Sequence, residues 1–170
     1  DAARHLHAAA LRDRQASGLQ RGHVVDPVAH HRHVAPALAQ RRHGDPLLAR
    51  CAELRKLRVH GLRVLTGVEV DIRRDGSLDL APATLRRVDV VVASVHTYLS
   101  LPREEMTRRL VRAVESGLVH VLGHPTGRLL NEREPSDIDL REVIEACVRQ
   151  GVALEINAQP ARLDLNDLNA

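Results

Sequence analysis

The chain has 170 residues, of which 44% are hydrophobic, and a formal net charge of +3 at pH 7. It contains no Phe or Trp and a single Tyr, so Leu, Val, Ile and Ala must fill the core. A complete eight-fold βα barrel usually needs about 250 residues, so this length predicts one domain that is at most part of such a barrel. The sequence has no apolar stretch of the roughly 18 residues that a membrane span needs.

The positive charge is concentrated in the first third of the chain. Residues 1–60 hold 11 Lys/Arg and 5 Asp/Glu, whereas residues 61–170 hold 14 and 17. A basic surface favours phosphates or nucleic acid, but the acidic remainder would have to attract them through metal ions. Cys51 and Cys147 have no neighbouring cysteine, which is typical of buried reduced thiols. Together with the lack of a signal peptide, this predicts a soluble cytoplasmic protein.

The N-terminal segment, residues 1–46, is rich in His and Arg and shows no sustained periodicity, so we predict that it is irregular. Eight of the 11 histidines precede residue 61, and a cluster of them (His30, His31 and His33) could bind metal adventitiously. Two interpretations stay open for this segment. It is either a solvated stretch without fixed structure or the translation of a shifted reading frame.

From Asp45-Pro46 onward the pattern becomes regular and predicts an α/β domain over residues 47–170. Helical spacing and stop residues predict helices over 47–57, 102–115 and 139–150, with a short helix or turn over 82–87. The last of these helices should face inward through Leu140, Val143, Ile144, Cys147 and Val148. Apolar runs predict strands over 63–70, 89–95, 118–123 and 152–156.

Polar or ionisable residues follow the apolar part of each predicted strand and recur every 27 to 33 residues, namely Glu69, His96, His124 and Asn157. A strand, its helix and two loops need roughly that length, so the spacing indicates successive βα units with parallel strands. The carboxyl ends of such strands form the active face. Because carboxylate and neutral imidazole suit Zn²⁺, Mn²⁺ or Fe²⁺, the pattern predicts a metal-dependent enzyme site.

Each candidate residue also has a structural interpretation. Glu69 could lie on an exposed edge strand, and His96 could satisfy itself with a backbone carbonyl. Arg128 could bind a phosphate or be solvated, whereas Arg162 could face substrate or cap a strand exit. Tyr98 could stack on a base or pack within a loop.

Four ordered motifs together resemble the PHP (polymerase and histidinol phosphatase) domain, in particular the version at the C-terminal end of bacterial family X DNA polymerases. The resemblance covers about residues 61–170. The motifs are Gly67-Val68-Glu69-Val70-Asp71-Ile72, Ala93-Ser94-Val95-His96, Leu122-Gly123-His124-Pro125-Thr126-Gly127-Arg128 and Glu155-Ile156-Asn157-Ala158-Gln159-Pro160-Ala161-Arg162-Leu163-Asp164-Leu165.

The resemblance implies a distorted, TIM-like (βα)₇ barrel, of which this chain would form part, with two or three Mn²⁺ or Zn²⁺ ions at the strand carboxyl ends. It implies phosphoester cleavage and, in the polymerase setting, 3′-5′ exonuclease action on a DNA 3′ end. By position, Glu69 would bridge metals, while His96 and His124 would each ligate one. We expect Arg128 and Arg162 to contact substrate.

The chain departs from the family pattern near its beginning and its end. His5-Leu6-His7 matches the family's first His-x-His spacing and makes His5 and His7 candidate ligands, but three alanines follow. The family's Asp-His pair does not occur before residue 60, and its final Asp-x-His does not occur either. We therefore expect an incomplete metal centre, weak metal binding and little hydrolysis by this chain.

Two other functions remain open from the sequence. A non-catalytic barrel remnant could bind nucleic acid or a protein partner through its basic first third, with an affinity that falls steeply with salt. Alternatively, the chain could come from a phosphatase that acts on a phosphorylated small molecule such as histidinol phosphate.

Overall fold

The computed structural model describes residues 37–170 of the chain. Four strands alternate with helices along these residues. The strands are β1 (Gly67–Asp71), β2 (Val90–Ser94), β3 (Val121–Leu122) and β4 (Ala153–Leu154). The helices are α1 (Ala37–Leu54), α2 (Pro82–Leu85), α3 (Arg103–Val114) and α4 (Leu140–Gln150). Across this described range, no helix combines the length and the apolar character that crossing a bilayer requires.

The four strands form one parallel sheet in the order β1-β2-β3-β4. The longest ladder pairs Gly67 with Val90 at one end and Asp71 with Ser94 at the other. Because all strands run in the same direction, their carboxyl ends meet at one edge of the sheet. The predicted α/β fold with parallel strands is confirmed. The arrangement is compatible with part of a TIM-like barrel, and closure into a barrel stays a prediction.

The sheet is buried through the alternating side chains of its two long strands. In β1, Val68 and Val70 are buried, and Glu69 between them points to the opposite face because side chains alternate along a strand. In β2, Val91 and Ala93 are completely buried. This alternation places the apolar side chains against the helices and leaves Glu69 on the other face.

Helices α3 and α4 pack on the sheet with apolar stripes and defined ends. Met106 and Leu110 of α3 are almost fully buried, so truncating either to Ala should cost about 2–5 kcal/mol. The carboxylate of Asp139 accepts a hydrogen bond from the backbone N–H of Glu142 at 3.1 Å and caps the start of α4. Gly151 ends the helix in the left-handed region, with φ at 67°.

The first helix and the first strand differ from their predicted bounds. Helix α1 begins at Ala37 and runs through Pro46, so the predicted helix start at this proline is wrong. The domain boundary at residue 46 stays a prediction. The strand predicted over 63–70 begins only at Gly67. Leu62 and Leu65 before it are exposed, because their apolar run belongs to a connecting loop.

Two other predictions needed correction. The strands predicted over 118–123 and 152–156 reduce to two-residue ladders, Val121–Leu122 and Ala153–Leu154. Val148, predicted to face inward, is 76% exposed. The buried stripe of α4 passes instead through Val143, Ala146 and Cys147, and the residue after Cys147 is turned by about 100° away from it.

Candidate metal centre

Glu69 lies in the middle of β1, two residues before the strand ends. Its carboxylate is only 16% exposed and faces the loops that follow β2 and β3. A partly buried carboxylate needs a cation or hydrogen-bond donors beside it, because desolvation disfavours its charged form. Two histidines supply those donors.

His124 follows β3 and is buried, with 8% of its side chain exposed. Its backbone φ of 27° lies in the left-handed region, which residues other than glycine rarely adopt. The backbone N–H of His124 donates to the carboxylate of Glu155 at 2.6 Å, which stabilises this conformation. In this conformation, Nε2 of the ring lies 3.2 Å from Oε1 of Glu69.

His96 follows β2 and completes the cluster from the neighbouring strand. Its Nε2 lies 3.4 Å from the same Oε1 of Glu69, while its Nδ1 is hydrogen-bonded to the carboxylate of Asp71. The ring centroids of His96 and His124 are 5.1 Å apart. One carboxylate oxygen therefore lies between two imidazole nitrogens that come from different strand exits.

The cluster perturbs the protonation of its members. Hydrogen bonds from His124 and then from His96 hold the pKa of Glu69 well below its ordinary value, against the opposing effect of burial. Hydrogen bonds to Asp71 and then to Glu69 raise the pKa of His96 to about 9. Without a metal, these two carboxylates favour the protonated form of the His96 ring at neutral pH.

The geometry and chemistry of this cluster fit a divalent cation. One potential ligand atom from each of Glu69, His96 and His124 lies within 4.8 Å of the other two. Ligands of a tetrahedral Zn²⁺ site are separated by about 3.3 Å when the metal–ligand bonds are 2.0–2.1 Å long. Shifts of about an ångström or less in the side chains would bring the three atoms to that separation. A carboxylate with two imidazoles is also a common donor set for Zn²⁺ and Mn²⁺.

A buried polar atom beside these ligands supports the same interpretation. Within the described range, Nδ1 of His124 has no hydrogen-bond partner. A buried donor or acceptor without a partner costs about 1–3 kcal/mol. The site is therefore not satisfied by these residues alone, as expected where a further polar group or ion binds.

The two arginines predicted to contact substrate lie in the loops that follow β3 and β4 and have structural contacts there. Arg128 donates through Nε to the backbone carbonyl of Arg162 at 2.7 Å and through Nη2 to that of Leu163. Nη1 of Arg162 is buried and unpaired as far as residues 37–170 are concerned. Both side chains thus belong to the junction between the loop after β3 and the loop after β4.

A buried carboxylate also joins these two loops. Asp164 is completely buried, and its carboxylate accepts hydrogen bonds from the backbone N–H groups of Thr126, at 3.1 Å, and Gly127, at 2.8 Å. Asn157, the fourth residue of the recurring pattern, closes the loop after β4 through backbone hydrogen bonds to Asp164. Asn157 therefore shapes the rim of the site and is not among the three converging side chains.

Sequence reasoning missed three residues that shape the centre. Asp71 had a usable signal, because it lies two positions after Glu69 and so on the same face of β1. Arg109 lies on the buried stripe of α3, but apolar periodicity could not indicate its burial because the residue is charged. The contact of Glu155 with the His124 backbone depends on the loop conformation and had no sequence signal. His5 and His7 lie outside the described residues.

The chain is an α/β protein with a parallel sheet. A carboxylate and two imidazoles meet near the carboxyl ends of its strands and form a candidate metal centre. No family model matches the chain. The chain is 43% identical over 103 residues to the DNA polymerase/3′-5′ exonuclease PolX of Bacillus subtilis (strain 168). This match covers 61% of this chain and 18% of the PolX protein.

Two further relatives are phosphatases by name. The chain is 35% identical over 102 residues to a probable phosphatase of Tolumonas auensis and 34% identical over 102 residues to the probable phosphatase YcdX of Escherichia coli O127:H6. Each match covers 58% of this chain and 39% of the relative, so the chain spans less than half the length of these curated relatives. The matches confirm the resemblance to the PHP family and are consistent with part of a PHP domain.

Proposed function

We propose that this chain is part of a PHP-type, metal-dependent phosphoesterase. The observation that carries the proposal is the meeting of Glu69, His96 and His124, which come from three neighbouring strands and the loops that follow them. The similarity to PolX and to probable phosphatases supports the same reaction class. Within that class, we propose 3′-5′ hydrolysis at a DNA 3′ end, which the 43% identity to PolX supports. We also propose a cytoplasmic location.

The three side chains would hold a Mn²⁺ or Zn²⁺ ion. When bound, such an ion neutralises phosphoester oxygens and makes water a nucleophile near neutral pH. Glu69 is already ionised in the resting site, because its two histidine partners lower its pKa. His96 must lose a proton before its Nε2 can act as a ligand, so metal binding should release protons.

The remaining predicted site residues are part of the same proposal. We infer that Arg128 and Arg162 contact the phosphate-bearing substrate at the rim formed by their two loops. Arg128 uses Nε and Nη2 for backbone carbonyls, and its Nη1 is the nitrogen that we assign to a phosphate oxygen. His5 and His7 are proposed as additional metal ligands on the strength of their spacing alone.

A metal titration tests the core of this proposal. Isothermal titration of the 170-residue chain with Mn²⁺ and Zn²⁺ should show a weak site that Glu69→Gln and His124→Gln each remove. A His5→Gln/His7→Gln variant should lower the affinity or the number of ions bound if those residues are ligands. Metal binding that is unchanged in Glu69→Gln and His124→Gln would contradict the proposed centre.

A chimera tests the reaction itself, because we expect no detectable turnover from the chain alone. Residues 61–170 should replace the similar segment of Bacillus subtilis PolX, and Mn²⁺-dependent shortening of a 3′-labelled oligonucleotide should persist. The same chimera with Glu69→Gln is the inactive control. Arg128→Met in the chimera should raise KM for the oligonucleotide more than it lowers kcat.

A small-molecule phosphatase is the second candidate, and the matches to probable phosphatases favour it. A chimera with the Tolumonas auensis protein should then hydrolyse a small phosphomonoester such as p-nitrophenyl phosphate, while the PolX chimera leaves the oligonucleotide intact. The reverse result would support the DNA 3′ end as substrate.

A further inference from the structure

We propose that Asp71 is a positioning residue that fixes the ring of His96 so that its Nε2 faces the metal centre. This inference rests on the proposed metal function and adds a residue to that site. His96 is held at both ring nitrogens, by Asp71 at Nδ1 and by Glu69 at Nε2.

The spacing of the two carboxylates explains why one imidazole fits between them. Glu69 and Asp71 are two positions apart on β1, so their side chains lie on one face of the strand, about 6.6 Å apart along it. The ring of His96, which comes from the neighbouring strand exit, enters this gap. A shift of β1 by one residue would move both carboxylates to the opposite face of the sheet.

The hydrogen bond to Asp71 selects the tautomer that a metal needs. An ionised carboxylate only accepts hydrogen bonds, so Nδ1 of His96 must carry the proton. In the neutral ring, the lone pair is then on Nε2, the nitrogen that lies 3.4 Å from Oε1 of Glu69. Carboxylates that hold a ligating histidine in this way orient the ring and raise its basicity as a ligand.

Asp71 can perform this role because its own backbone is held in place. Its N–H donates to the carboxylate of Asp79 at 3.1 Å, and its carbonyl accepts from the N–H of Asp79 at 3.0 Å. Asp71 also pairs with Ser94 in the β1–β2 ladder, two residues before His96. The Asp71 carboxylate and the His96 ring are thus held by adjacent strands with a fixed register.

Arg109 stabilises the segments that follow Asp71 and His96. This side chain, with the residue only 2% exposed, donates from Nε to the carbonyl of Arg73 at 2.8 Å and from Nη1 to that of Thr97 at 2.9 Å. The two carbonyls belong to the loops immediately after β1 and β2. Their connection limits the movement of Asp71 relative to His96.

The test is a Zn²⁺ titration of the 170-residue chain with Asp71→Ala, Asp71→Asn and a matched control, Asp75→Ala. Asp71→Ala removes the acceptor and should weaken binding about 10–100-fold. Asp71→Asn keeps an oxygen that can accept from Nδ1, so it should restore most of the affinity. The hydrogen bonds that the Asp75 carboxylate accepts within residues 37–170 come from Ser77 of the same turn, so its variant should bind like the unmodified chain.

Nitrogen-15 NMR shows which nitrogen of the His96 ring carries the proton and which binds the metal. A general loss of structure would not produce the specific change in tautomer that we expect. In the Zn²⁺-loaded chain and in Asp71→Asn, Nδ1 should carry the proton and Nε2 should bind the metal, whereas Asp71→Ala should lose this single tautomer. Unchanged affinity in Asp71→Ala, or metal bound through Nδ1 in the unmodified chain, would overturn the proposal.

The metal-free chain separates this inference from the proposed function. If the unmodified chain binds no Zn²⁺ at the cluster, the proposed function fails. The His96 Nδ1–H should nevertheless give an exchange-protected resonance in the unmodified chain and in Asp75→Ala, and lose it in Asp71→Ala. Persistence of that resonance in Asp71→Ala would overturn the assignment of Asp71.

Discussion

The carboxylate of Glu69 and the imidazole of His124 meet at 3.2 Å although the residues are 55 positions apart in the sequence. They come from β1 and β3, which lie on either side of β2 in the sheet. His96 enters from the exit of β2 between them. Three consecutive βα units thus each supply one group to a single cluster.

Removing the charge of Glu69 should abolish the centre. Glu69→Gln replaces the carboxylate that both histidines contact with a neutral amide, which is a much weaker metal ligand. We expect divalent-metal affinity to fall by more than about 100-fold, beyond the 10–100-fold that loss of a residue supporting a ligand usually costs. Isothermal titration with Zn²⁺ measures this loss. Glu115→Gln, which changes an exposed residue paired with Arg149, is the control and should bind like the unmodified chain.

Metal-free stability should depend on pH through His96. Its pKa is raised from 6.5 to about 9 on folding, so its contribution is complete below pH 6.5 and is lost as the pH rises through 9. The pKa of Glu69 is lowered from 4.5, so its contribution is present above pH 4.5 and is lost in more acidic solution. In the presence of a chelator, these two groups predict maximal stability between pH 4.5 and 6.5.

Thermal unfolding between pH 5 and pH 9.5 with the chelator present measures this dependence. Tm should decline from pH 6.5 to pH 9 in the unmodified chain, and His96→Gln should flatten that part of the curve. A decline of equal size in His96→Gln would assign the effect to other groups.

Arg109 should be essential for stability although it is charged. Its guanidinium donates hydrogen bonds to backbone carbonyls in the loops after β1 and β2, and Arg109→Met would leave these acceptors without a partner. We expect a loss of about 3 kcal/mol in the free energy of unfolding, measured with urea. Arg108→Met at the adjacent exposed position should change stability by less than about 0.5 kcal/mol.

Asp164 should control the loop that carries His124. Asp164→Ala removes the acceptor of the Thr126 and Gly127 N–H groups and should cost about 1–3 kcal/mol. Hydrogen exchange should show faster exchange at these two amides. Asp167→Ala, an exposed neighbour, should leave their protection unchanged, and equal exchange in both variants would show that Asp164 does not fix the loop.

The sequence was sufficient where periodicity and local end signals agree. The apolar stripes of α3 and α4, and the capping residues Asp139 and Gly151, predicted those helices to within a residue or two. The recurring strand ends predicted the parallel order, and the structure brings Glu69, His96 and His124 together. These features depend on short-range patterns that one sequence displays.

Features that depend on tertiary contacts could not be predicted. The left-handed conformation of His124 depends on Glu155, which is 31 residues away and hydrogen-bonds to its backbone. The burial of Arg109 depends on carbonyls from two distant loops. The helix from Ala37 through Pro46 contradicted the local start signal at Asp45-Pro46.

An anomalous-diffraction experiment on crystals of the chain soaked in Zn²⁺ tests the central claim most directly. We predict a metal peak about 2.0–2.2 Å from a carboxylate oxygen of Glu69 and from Nε2 of His96 and of His124. A peak that appears only at the N-terminal histidines, or no peak among these three side chains, would contradict the proposed metal centre.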